Sequence, residues 1–315
     1  MFLCYNQCNE IDAVLESIFN QDLICIYEVI VSDDGSDDGT NEKFLRWKSQ
    51  YPDIIKLIVQ QRDPQIEIPL MERIKNFNEC ALKNISGKYF CLFDGDDYCL
   101  SKEFSKDAIE IMDNDDSISS VVFNFEYRFP NKLQIANYVD INDNKLHEGI
   151  VNRYDFICKN YAHSGTFVFR NQLSSSQIKK LASVPFLIDN TIVPFMFQFG
   201  ELYYKPKLAY SYRVSGGHWD IRPKKEKSVF TILVAAMIAH IAPEFEWAFK
   251  RRIVENYDFI CKNRKLLKLK IDENIFNQYK SIAQKYDESF LLNCLNWNIT
   301  SFFNNISLYM TYKKI

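Results

Sequence analysis

No two of the nine cysteines stand at Cys-x-x-Cys spacing, and none of the four histidines (His147, His163, His218, His240) pairs with a cysteine at the separation a zinc site needs. The pattern argues against a disulfide framework and against structural zinc. An odd number of cysteines, most of them inside apolar runs, reads as reduced core thiols, so the expected location is a reducing cytoplasm. Gly-x-Gly-x-x-Gly and the Walker loop are both missing, which removes the ordinary dinucleotide and P-loop sites. Basic residues are not in excess. Lys and Arg number 38 against 41 Asp and Glu, a net charge of −3, which argues against a general nucleic-acid-binding surface. No apolar run is long enough to span a bilayer. The longest, Val229–Ala242, carries Thr231 and His240 and reads as a buried helix. Met1–Asn6 lacks the basic start and long apolar region of a signal peptide. Internal repeats and low-complexity segments are absent.

What is present points to a globular chain. Its 315 residues suit one large or two modest domains, and 47% hydrophobic with 25% charged residues is the composition of a packed protein. The 25 Phe and 18 Tyr predict a large aromatic core.

The chain is organised around Lys88–Tyr98. Tyr89, Phe90, Leu92 and Phe93 have the character of a buried strand, and the strand runs into Asp94, Asp96 and Asp97 around Gly95. An acidic cluster at the carboxyl end of a sheet strand lies where open α/β sheets bind ligands. Asp94 and Asp96 can lean toward one point, and a hard divalent cation relieves the repulsion between them. A polar turn after a strand accounts for the same residues, since Asp and Gly favour turns.

Around this stretch, apolar runs alternate between strand and helix character. Phe2–Tyr5, Glu28–Ser32, Ile54–Gln60, Val121–Tyr127, Ser164–Arg170, Leu202–Tyr204 and Ala209–Val214 read as strands. Ile11–Phe19, the segment around Phe44–Trp47, Leu70–Lys83, Lys102–Met112 and Leu187–Gly200 read as helices. Lys132–Glu148 reads as a polar surface excursion. The alternation implies βαβ units, an α/β fold with a largely parallel sheet. A second acidic strand end, Asp33–Thr40, fails as a calcium loop because Leu45 stands where a bidentate Glu is required. Two readings remain: a turn with an Asx-type cap on the next helix, or a ligand-binding loop.

Tyr5-Asn6, Glu28–Thr40, Gly87–Phe90 and Asp94–Tyr98 follow one another in an order and spacing that resembles family 2 glycosyltransferases of GT-A fold, of the bacterial polysaccharide-biosynthesis type. Asp189, Gly200 and Tyr210–Gly217 continue the likeness, which covers about residues 1–220. The resemblance implies a Rossmann-like, mostly parallel sheet flanked by helices. Residues 1–220 would form the catalytic domain, with a donor half over about 1–100 and an acceptor half over about 101–220. Residues 221–315 would be a helical C-terminal extension.

The resemblance also implies an activity: inverting transfer of a hexosyl or N-acetylhexosaminyl group from a nucleotide sugar, most commonly a UDP-sugar, to an acceptor hydroxyl. Tyr5 and Asp33, with Asp34 beside them, match positions that contact the donor's base. Asp94 and Asp96 match the Asp-x-Asp that binds Mn²⁺ or Mg²⁺, with Asp94 also on the donor nucleotide. Asp189 matches the catalytic base. Arg73, Lys75 or Arg213 would add positive charge near the phosphates. The chain departs from the family pattern in three places. The first strand is short. The His that often follows Tyr-Arg-Val is Ser215, so His218 is the candidate for completing the metal shell. Ile188 replaces a common Gly before Asp189.

Beyond residue 220, Val229, Ile232, Leu233, Ala236 and Met237 recur at helical spacing, and Leu266, Leu267 and Leu269 stand among lysines and Arg264. Such helices pack on the catalytic domain or on a second copy of the chain, or lie on the inner face of a membrane. The expected partners are thus a nucleotide sugar, a glycan or lipid-linked acceptor, and a membrane surface or a homodimer mate through 221–315, with no nucleic acid. Two other functions compete: a nucleotidyltransferase, which would carry a Gly-rich basic loop that Leu3–Glu10 lacks, and a degenerate nucleotide-sugar-binding scaffold, which the intact Asp94, Asp96 and Asp189 oppose.

Overall fold

The computed structural model describes residues 1–22, 27–60, 79–140, 142–160, 163–182, 189–214, 238 and 241–245. The chain divides into two units, 1–221 with 237–248, and 222–236 with 249–315; all described residues belong to the first. In chain order, the first half holds β1 (Phe2–Cys4), α1 (Ile11–Phe19), β2 (Val29–Asp33), α2 (Thr40–Gln50), β3 (Ile55–Val59), β4 (Tyr89–Cys91), β5 (Phe93–Asp94) and β6 (Tyr98–Cys99). The second holds α3 (Phe104–Asn114), β7 (Ile118–Phe129), β8 (Lys132–Ala136), β9 (Gly149–Val151), α4 (Arg153–Lys159), β10 (Phe167–Arg170), α5 (Ser175–Ala182), α6 (Asp189–Met196) and β11 (Glu201–Arg213).

A four-stranded sheet has the order β3-β2-β1-β5, with every pair parallel. All five residues of β2 are buried, as both faces of a parallel sheet require when helices cover them. Ile11, Val14 and Leu15 form the buried stripe of α1 at helical spacing. Phe19 of α1 stacks on Trp47 of α2 with ring centroids 5.3 Å apart, joining the two helices.

A second, mixed sheet has the order β4-β10-β7-β11-β6, with β8 on β7 and β9 on β11. Here β7 and β11 run parallel, while β10 is antiparallel to both β4 and β7. The aromatic core lies against this sheet. Phe104, Phe123, Phe125, Phe156, Phe167, Phe169, Phe195 and Phe197 are fully buried, each contributing about 1.5–3 kcal/mol relative to an exposed ring.

Three sequence expectations change. Lys88–Phe93 is not one strand: β4 pairs with β10 in the mixed sheet and β5 with β1 in the parallel sheet, so the chain crosses between sheets at Leu92, just before the acidic cluster. Leu202–Tyr204 and Ala209–Val214 belong to one long strand, β11, whose register shifts around Lys205–Tyr210 accommodate Pro206, a residue with no N–H to give the ladder. The polar excursion contains β8, an edge strand whose Leu133 and Ile135 stay exposed, so no buried face marked it in the sequence.

Within the expected Leu70–Lys83 helix, residues 79–83 are helical and 70–78 lie outside the described residues. The extension expected over 221–315 also lies outside them, apart from 238 and 241–245, where Ile238, Ile241 and Ala242 are buried. Among the described residues no helix is long and apolar enough to cross a membrane.

Candidate active site

Register puts Cys4 opposite Asp33 and Leu3 opposite Asp94. The loops after β2 and β5 therefore leave the sheet on either side of the β1 end, at the carboxyl edge where such sheets bind ligands. On the β2 side the loops clamp each other. The backbone N–H groups of Asn6, Gln7 and Cys8 donate to Ser36 Oγ, Thr40 Oγ1 and Asp38 Oδ2 at 2.9, 2.9 and 3.0 Å. Asn6 and Asp37 exchange two hydrogen bonds, and Asn6 sits at φ 52, a left-handed conformation that Asn tolerates. Asp38 Oδ1 accepts from Thr40 N at 3.0 Å, the Asx-type cap. Asp33 is fully buried. Its two oxygens accept from Ser36 N (3.1 Å) and Ser36 Oγ (2.5 Å). Asp33 and Asp38 thus build the capped turn of the first reading, at the same sheet edge as the acidic cluster.

The acidic turn is packed hard against β1. A Cβ on Gly95 would lie 1.7 Å from Gln7 Oε1 and 2.7 Å from Cys4 Cβ, so only glycine fits. Its three carboxylates face three ways. Asp97 is fully buried, with Oδ2 accepting from the Tyr210 hydroxyl at 2.6 Å and Oδ1 from Arg213 N at 2.8 Å, which ties the turn to β11. Asp96 faces cations: Arg213 Nη1 lies 4.0 Å from its Oδ2 and 2.5 Å from Glu10 Oε1. Arg128 Nη2 donates to the Asp96 carbonyl at 3.3 Å while its guanidinium stacks 3.9 Å from the Tyr98 ring centroid. Asp94 faces Asp189 and His163; ligand atoms of these three residues all lie within 4.8 Å of one another.

The third wall is the turn His163–Thr166 and the start of α6. Thr166 N and Oγ1 both donate to the His163 carbonyl, at 3.0 and 2.8 Å. A Cβ on Gly165 would lie 2.1 Å from the Tyr210 ring, so the turn rests directly on that ring. Ser164 Oγ donates to Asp189 Oδ1 at 2.7 Å. The His163 imidazole is buried, edge-on to Tyr212 at 4.4 Å between centroids, with Nε2 3.8 Å from Asp97 Oδ2.

The electrostatics follow from this crowding. Burial pushes the Asp94 carboxyl well above the usual range, and Asp189, Asp97 and Asp96 push the same way. Burial also raises Asp96, against the pull of Arg213, and raises Asp97, to which Asp96 adds. His163 is lowered by burial, with Asp189 opposing. Carboxylate oxygens and one imidazole, drawn together at a cost in mutual repulsion, are a donor set that fits a hard divalent cation.

The structure thus brings Asp94, Asp96 and Asp189 to one edge, with Asp33 and Asp34 on the other side of the β1 end and Tyr5 directly after β1. Asp34 is buried and Tyr5 half-buried. Arg73, Lys75 and His218 lie outside the described residues. Sequence reasoning missed His163, Ser164 and Arg128 as site residues, and the bond that joins Tyr210 to Asp97. The short Ser-Gly-Thr ahead of a Phe-rich strand is the signal that was available, since small residues there mark close approach.

A family model described as glycosyl transferase family 2 matches residues 2–174, and the chain belongs to that family. The fold is of GT-A type, similar to S. aureus TarS 1–349 in complex with UDP at a TM-score of 0.61, with 17% identity, over 100% of this chain and 90% of that one. S. aureus TarS 1–349 in complex with UDP-GlcNAc matches at 0.58, with 18% identity, over 90% and 79%. A longer S. aureus TarS chain matches at 0.59, with 18% identity, over 89% of this chain and 48% of that one. No curated protein matches the sequence.

Proposed function

We propose that this glycosyltransferase moves a sugar from a nucleoside-diphosphate sugar to an acceptor hydroxyl with inversion, assisted by Mn²⁺ or Mg²⁺. The observation that carries the reading is the meeting of the Asp94–Asp97 turn with Asp189 at one sheet edge, ligand atoms of Asp94, His163 and Asp189 lying within 4.8 Å of one another. Asp94 would hold the cation with the His163 imidazole beside it, and Asp96, which faces Arg213, would complete the family's Asp-x-Asp from the same turn. A cation held there would supply positive charge against the departing diphosphate. Asp189 takes the proton of the acceptor hydroxyl as it attacks, and one base with one displacement inverts the anomeric centre. Arg128 and Arg213 hold fixed positive charge beside Asp96. Tyr5 and Asp34 receive the base on the platform that Asp33 builds. Structures of TarS with UDP and UDP-GlcNAc make UDP-GlcNAc the first donor to try.

The acceptor is a glycan or lipid-linked sugar in surface polysaccharide assembly on the cytoplasmic side, with 221–315 as the region for membrane or homodimer contact. The test is a thermal-shift screen of nucleotide sugars with and without Mn²⁺, since a ligand that binds only the folded state raises Tm. A donor is expected to stabilise the protein more with Mn²⁺, and Asp96→Ala to abolish that increment. Equal stabilisation of the variant with and without metal would remove the metal assignment. A wild type blind to every nucleotide sugar would remove the reading itself.

A further inference from the structure

We infer that Ser164 is a positioning residue that orients the Asp189 carboxylate and keeps it in register with the acidic turn. The inference rests on Asp189 as the base. Asp189 is the first described residue of α6, and a carboxylate there has two rotatable bonds to fix before one oxygen faces an acceptor. Ser164 Oγ donates to Asp189 Oδ1 at 2.7 Å, a charge-assisted bond that engages one oxygen and leaves Oδ2 for the proton.

The serine itself is held. It is 4% exposed and sits in a turn closed by two bonds from Thr166 to the His163 carbonyl, with the Tyr138 hydroxyl 3.0 Å from Thr166 Oγ1. Gly165 beside it rests on the Tyr210 ring, whose hydroxyl donates to Asp97. A continuous line therefore runs from the acidic turn through Asp97, Tyr210, Gly165 and Ser164 to Asp189. Such a line holds the base at a fixed distance from the donor side, where a displacement of about 1 Å can cost about a hundredfold in rate.

Nucleoside diphosphate release from UDP-GlcNAc, or from UDP-glucose, UDP-galactose or GDP-mannose where those turn over, measures the effect. Ser164→Ala should lower kcat about tenfold or more, with donor KM unchanged and a smaller drop in Tm than Tyr210→Phe, and Ser164→Thr should restore most of the kcat. In the Asp189→Asn background, Ser164→Ala should add nothing, because the group it orients is gone. A crystal structure of Ser164→Ala should show the Asp189 carboxylate turned from its present direction, a readout that needs no donor. An unchanged kcat, an additive loss in the Asp189→Asn background, or an unmoved carboxylate would each overturn the role of Ser164 while leaving the transfer reading intact. Normal turnover by Asp189→Asn would overturn the base and Ser164 together, with donor binding still able to support the family activity.

Discussion

The two walls of the site are built by different physics. On the side proposed to take the donor, the loop after β2 is closed by short bonds of its own, Ser36 N to Asp33 and Thr40 N to Asp38, and is clamped by the Asn6–Cys8 backbone, 30 to 33 positions away. On the acceptor side, contacts are between side chains far apart in the chain. Ser164 meets Asp189 across 25 positions and Tyr210 meets Asp97 across 113. The first wall needs only turn chemistry and the pairing of β1 with β2. The second exists only once β10, β11 and α6 have packed, so its geometry is a property of the whole mixed sheet. Substitutions should therefore act differently: chemistry should be lost on the acceptor wall, and modest stability or binding on the donor wall.

The largest test is Asp189→Asn. General-base loss should lower kcat by about 10²–10⁴-fold while nucleotide-sugar affinity, read by calorimetry, stays within a factor of two or so. A variant that binds donor poorly instead would mean that Asp189 belongs to the donor wall and that the two walls do not divide binding from chemistry. Tyr210→Phe comes next. It strips the hydroxyl donor from Asp97, which is fully buried, and should cost about 1–3 kcal/mol in urea denaturation. It should also lower kcat, because the hydroxyl that ties Asp97 to the ring beneath Gly165 is gone. Loss of stability with kcat intact would break the line from the acidic turn to the base.

The same division explains what could be read without coordinates. The parallel half was legible because β2 is a fully buried run that leads into Asp33-Asp34-Gly35, with short strand-like runs before and after it, signals that are local in sequence. Asp94, Asp96 and Asp189 were legible through family spacing. His163 and Ser164 were not, since Ser164-Gly165-Thr166 signals a close approach but not its partner, Asp189, 25 positions on. Asp97 and Tyr210 were read as part of the acidic cluster and of the closing segment, but the bond between them, across 113 positions, was not. The crossing of the chain between sheets at Leu92 was hidden because β4 and β5 are both apolar, and which partner each takes is decided by β10 and β1.

The smallest expected effect is on the donor wall. Ser36 Oγ accepts from Asn6 N at 2.9 Å and donates to Asp33 Oδ1. Ser36→Ala removes both bonds, yet the consequences are unequal. The Asn6 N–H is near solvent, so water takes the place of the hydroxyl. Asp33 is buried but keeps Ser36 N at 3.1 Å, which the substitution leaves untouched. The net cost should therefore fall at about 0.5–1.5 kcal/mol of stability. Slackening the loop should weaken nucleotide-sugar binding by less than about tenfold, which corresponds to about 1.4 kcal/mol. Turnover at saturating donor should not change, because no atom of this loop reaches Asp189 through the contacts that hold the base. A loss of kcat approaching that of Asp189→Asn would show that the two walls move as one body, and that turn chemistry on the donor side sets the position of the base as well.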